Sequence, residues 1–72
     1  MTRQQAEAKL TAKVASQSTA VLLDIIRKLN LETTSEAIVT ANFVTRELEA
    51  RLTDDEFLAL MEELEAAMDA AA

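Results

Sequence analysis

The 72 residues contain 14 alanines and 22 Val, Leu, Ile, Met or Phe, enough for one small domain with a thin core. There is no Gly, Pro, Cys, His, Trp or Tyr, which excludes zinc fingers, haem ligation, disulfide frameworks, Cys–His nucleophiles, P-loops and dinucleotide-binding turns. The net charge of −6 divides into +3 over residues 1–31 and −9 over residues 32–72, a balance that disfavours nonspecific DNA binding but leaves a basic N-terminal third.

The composition is that of helices, and the fold class expected is all-α with three helices, completed by dimerisation. The first helix is predicted from about Thr2 to Leu29. Its apolar stripe holds Leu10, Val14, Val21, Leu22, Ile25, Ile26 and Leu29, and its N-terminal half is thin. Residues 1–18 therefore read as a helix-prone extension ahead of a three-helix core unit over 19–72. Asn30 is the expected stop, in a left-handed cap with Leu31 folded back on Ile26, and Arg27 and Lys28 suit the helix dipole there.

Thr33-Thr34-Ser35-Glu36 reads as a capping box, with Thr33 capping and Glu36 reaching back. The second helix is expected over about Thr34–Leu52. It has two apolar faces, one with Ile38, Ala41, Val44 and Leu48 and the other with Val39 and Phe43. A helix on one small core needs only one such face, so the helix is either central or carries a subunit interface. Val21, Leu22, Ile25, Val39 and Phe43 are the residues expected in that interface; Phe43 is one of only two aromatics.

Thr53-Asp54-Asp55-Glu56 is a stronger capping box, with Leu52 and Phe57 at the staple positions and a sharp corner before the third helix. That helix is expected to reach about Ala70. Phe57, Leu60, Met61, Leu64 and Met68 form its apolar arc, with Leu58 at the edge. Its acidic face comprises Asp55, Glu62, Glu63, Glu65 and Asp69 and reads as solvated. The stretch from Asp54 has Leu58 and Ala59 where an EF-hand loop needs a ligand and a glycine, and without His there is no di-iron motif, so no metal or cofactor is expected.

Residues 19–52, with Val21-Leu22-Leu23-Asp24-Ile25-Ile26-Arg27-Lys28-Leu29, the turn at 30–34 and Ser35-Glu36-Ala37-Ile38-Val39, resemble the helix–turn–helix portion of ribbon–helix–helix repressors and antitoxins. That resemblance covers under half the chain. It implies an intertwined dimer with paired N-terminal strands in the major groove. The strand would be Lys9-Leu10-Thr11-Ala12-Lys13-Val14, with Lys9, Thr11 and Lys13 facing bases. Catalysis has no support, because Ser16, Ser18 and Ser35 lack a histidine to activate them.

The expected function is a non-enzymatic helical interaction module, a regulator or inhibitor acting through a protein partner and as a homodimer or higher homo-oligomer. The alternatives are a DNA-binding regulator touching nucleic acid through Lys9 and Lys13, and an acidic inhibitor that imitates nucleic-acid phosphate. No apolar run reaches the ~20 residues of a membrane span and the N-terminus opens no secretory signal, so a cytoplasmic protein away from membranes is expected.

Overall fold

A computed structural model of the protein describes residues 2–71, and among them four helices account for all regular structure: α1 (Arg3–Ala15), α2 (Thr19–Leu29), α3 (Ser35–Arg51) and α4 (Asp54–Ala71). The all-α expectation is met, but the helix count is corrected from three to four. The predicted long first helix is two helices, broken at Ser16-Gln17-Ser18. Ser16 turns its hydroxyl onto the Lys13 carbonyl at 2.7 Å, and Ser18, in extended conformation, accepts from the Val21 N–H to cap α2. Hydroxyl side chains that bond nearby backbone offer the chain an alternative to helix, and here two of them end one helix and start the next without Gly or Pro.

Each start has its own local cause. Thr2 and Gln5 form a reciprocal capping box at α1. At α3 the cap is Thr34 rather than the expected Thr33; its hydroxyl accepts from Ala37 N–H at 3.1 Å, while Glu36 stays in the first turn as a charge suited to the dipole. Ala37 lies seven and eleven residues before Val44 and Leu48 and is buried with them on one face of α3. At α4 the Thr53 hydroxyl accepts from Glu56 N–H and the Glu56 carboxylate accepts from Thr53 N–H. Leu52 and Phe57 are both half-buried beside that corner.

The end of α2 also departs from expectation. Asn30 is right-handed (φ −59°), no described residue has positive φ, and Leu31 is exposed. The chain leaves through tight turns, Leu31 N–H to the Lys28 carbonyl and Glu32 N–H to that of Leu29, closed over three residues as in a 3₁₀ turn. A long-range bond explains the choice: Asn30 Nδ2 donates to the Leu64 carbonyl at 2.9 Å, tying the end of α2 to α4.

The core is one cluster: Leu22 and Ile26 of α2, Val44 and Leu48 of α3, Leu60 and Leu64 of α4, and Val14 of α1. Helix α3 is central, packed by α2, by α1 and at its end by α4. The residues assigned to an N-terminal extension therefore contribute a buried side chain. Lys9–Val14 lie inside α1 and no described residue is in a strand, so the strand pair implied by the ribbon–helix–helix resemblance is not formed.

Arg51, in the last turn of α3, joins these helices at one end. Its guanidinium donates to the carbonyls of Gln17 (2.7 Å) and Ala15 (2.9 Å), and to Thr19 Oγ1 at 3.4 Å; the Glu47 carboxylate stands 3.7 Å away. The carbonyls at a helix C-terminus have no partners within the helix, and Arg51 supplies a donor to that of Ala15, the last residue of α1, and another to the Gln17 carbonyl within the break. Hydrogen bonds from a charged donor are worth about 1.5–3 kcal/mol. Arg51→Met, which keeps the apolar stem, is expected to lower the unfolding free energy in urea by about 2 kcal/mol. Arg51→Lys should recover less than half of that, because an ammonium lacks the fork that reaches several acceptors. An unchanged urea midpoint for Arg51→Met would mean that these hydrogen bonds do not hold the break.

Candidate interaction surfaces

Helix α1 lies between two clefts. One, of about 420 Å³, opens where α1, α2 and α3 meet; its floor is Leu10, Val14, Leu22, Ile25 and Val44, with Lys13 at its edge. The other, of about 610 Å³, runs between α1 and α3 and is polar: Arg3 and Glu7 face Val39, Asn42, Phe43 and Arg46 across it. The Arg46 guanidinium carbon sits 5.8 Å from the centre of the Phe43 ring, within range of a cation–π contact.

The five residues expected in an interface fall into three environments. Leu22 is 0 % exposed and belongs to the core of a single chain, so it is not available to a partner. Ile25 and Phe43 are half-buried against that core. Val21 and Val39, at 41 % and 51 % exposure, are free surface. The second apolar face of α3 is thus partly accounted for by α1, which sequence periodicity alone did not place there.

Two further apolar residues, one at the edge and one within the predicted arc of the last helix, are also exposed. Leu58 and Met68 on α4 are 58 % and 55 % exposed. Every described residue from Glu65 onward is exposed, so α4 outlasts the core that covers its first half. The accessible surface of the chain is 5296 Å². A compact monomer of 7.9 kDa is expected to show about 4400 Å². The excess, roughly 900 Å², is close to the ~800 Å² that each partner contributes to a standard protein interface.

The predicted acidic face is divided by the fold. Asp55, Glu62, Glu65 and Asp69 are exposed and make no ion pair among the described residues. Glu63 lies on another side of α4 and forms a two-point bond with Arg27 of α2, Nε–Oε2 at 2.7 Å and Nη2–Oε1 at 3.2 Å. The hydrogen bond from Arg27 holds the Glu63 carboxyl below the ordinary carboxylate range, and the same bond raises Arg27. Glu56 is lowered by the hydrogen bond from the Thr53 backbone N–H, with the Thr53 side chain adding to it. No group of three or more His, Cys, Asp or Glu is placed to hold a metal ion among the described residues, and no helix there is long and apolar enough to cross a membrane.

Comparison of the chain with models of known protein families, with curated proteins and with solved structures finds no match.

The lowered carboxyls set a pH dependence of definite sign. Both groups bind a proton more readily in the unfolded chain than in the folded one, so their contribution is complete above the ordinary carboxylate range and is lost as pH falls through the folded values. The stability difference between wild type and Glu56→Gln/Glu63→Gln, measured by urea unfolding between about pH 6 and pH 3, should shrink toward zero at the acid end. A difference independent of pH would mean that these two carboxylates are not the groups responsible.

Proposed function

We propose that the protein is a non-enzymatic helical interaction module, a small regulator that works through self-association and a protein partner. The observation that carries this reading is the surface excess of roughly 900 Å² over a compact monomer of this size. It is accompanied by six exposed large apolar side chains, Val21, Leu31, Ile38, Val39, Leu58 and Met68, on a chain with eight buried apolar residues among those described. A core that small stabilises a lone domain only weakly, and with neither disulfide nor zinc available, association is the remaining source of stability.

A second reading, an inhibitor whose acidic surface imitates nucleic-acid phosphate, draws on α4, which carries seven acidic residues and no basic one. Such an inhibitor would bind a basic protein one-to-one and lose affinity steeply with added salt.

Sedimentation equilibrium from about 1 to 500 µM tests the first reading. It predicts a reversible dimer or larger assembly in the upper part of that range, with a melting temperature that rises with protein concentration. A monomer at the highest concentration that still melts cooperatively would contradict it.

A further inference from the structure

We propose that the partner for the open face of α4 is a second copy of this chain, which receives it on the outward face of its α1; this deepens the self-association reading above and rests on it. Two such contacts, α4 on the partner's α1 and the partner's α4 on α1, close a two-fold dimer that leaves neither surface free.

The α4 face is defined by helical geometry. Leu58, Met61, Glu62, Glu65, Met68 and Asp69 fall within an arc of about 120°. Its apolar members are Leu58 and Met68, both more than half exposed, and Met61, half-buried at its margin. Its charges are all negative. Within the same chain this face cannot turn onto α2: Glu63, about 160° around the helix from its centre, is held by Arg27, and the Leu64 carbonyl is held by Asn30.

Electrostatics also leaves α4 incomplete in one chain. Asp69 stands near the C-terminal end, where the helix dipole disfavours negative charge, and no basic residue lies in the last turn. Cations near Glu65 and Asp69 would relieve both effects. The chain carries such cations unused. Among the described residues Lys9 and Lys13 make no ion pair, although the N-terminal third is positive overall.

Those lysines border the surface that α1 presents away from the core. With Leu10 and Val14 turned inward, the opposite side of α1 carries Gln5, Ala12 and Lys9, flanked by Ala8 at the rim of the α1–α3 cleft and by Lys13 at the rim of the other. The alanines allow a second helix to approach closely, and lysine stems can cover apolar side chains while their ammonium groups reach the acids. The two faces also match in length: Leu58 to Met68 spans about 15 Å of helix, and so does Gln5 to Ala15. A standard interface covers about 800 Å² on each partner, and the chain shows roughly 900 Å² more surface than an average compact monomer of its mass.

The test uses the full chain and two charge-reversed variants, Lys9→Glu/Lys13→Glu and Glu62→Lys/Glu65→Lys/Asp69→Lys. All five positions are exposed, and circular dichroism melts check that each variant keeps its helices. The proposal predicts a wild-type dimer by sedimentation equilibrium and a dissociation constant raised at least about tenfold in each variant alone. It predicts a one-to-one heterodimer when the two variants are mixed, because each altered surface then meets its complement. An uncharged variant, Leu58→Ser/Met68→Ser, should also weaken the dimer. Wild-type dimers unaffected by these substitutions would overturn the proposed surfaces while leaving self-association standing. Variants that dissociate but do not associate on mixing would overturn the pairing of these charges. A monomeric wild type would overturn both this proposal and the self-association reading.

Discussion

A helix that ends inside a helix-favouring sequence leaves carbonyl oxygens without amide partners, and at the α1–α2 break Arg51 supplies the missing donors. The arrangement of the other elements follows from this bond set. Because the guanidinium comes from the end of α3, the break is pinned beside the helix that forms the centre of the fold. Because it reaches both the carbonyls behind the break and Thr19 ahead of it, α1 and α2 leave that point as separate helices. With the corner held, Val14 lies in the core beside Leu22 and Val44.

The remaining polar contacts distribute the same task to the other end and to α4. Asn30 and Arg27 tie α2 to α4 through Leu64 and Glu63, and beyond Leu64 no described residue of α4 is buried. The result is a thin body, 38 × 27 × 16 Å, in which all the described buried residues except Ala37 form a single cluster and whose outer faces carry apolar side chains at half exposure or more. Shape, more than any one residue, connects the fold to a proposal of association. A chain of this size with so little interior gains most by covering the surface that its own helices leave open.

What could be read from the sequence divides by the range of the interaction. The corner at Leu52–Thr53 was legible because its cause lies within six residues: Thr53, Glu56 and the pair Leu52 and Phe57. The buried faces of α3 and α4 were largely legible from spacing, with Val44, Leu48, Leu60 and Leu64 on the expected sides. The break at Ser16–Ser18 was not, since the stretch has no Gly or Pro and its only signal is the cluster Ser16-Gln17-Ser18-Thr19. Arg51 was invisible for a different reason: its acceptors lie 32 to 36 residues away, and periodicity reports which face of a helix is apolar without saying what it meets. The same limit misplaced Leu22. The stripe of the predicted first helix is about 160° wide and runs through the break at Ser16–Ser18, so spacing could not show that Leu22 and Ile26 face the core while Val21 is open.

If Arg51 and Val14 hold α1 in place, it is a cooperative part of the fold and not an extension that frays independently. Native-state amide hydrogen exchange, comparing the wild-type chain with Arg51→Met, tests this most directly. Amides across Leu10–Ala15 are expected to be protected in the wild type to a degree approaching those of α2 and α3. In Arg51→Met their protection should fall selectively, with Val44 and Leu48 in the centre of α3 still slow. Exchange of the α1 amides at the rate of an open chain in the wild type would contradict it.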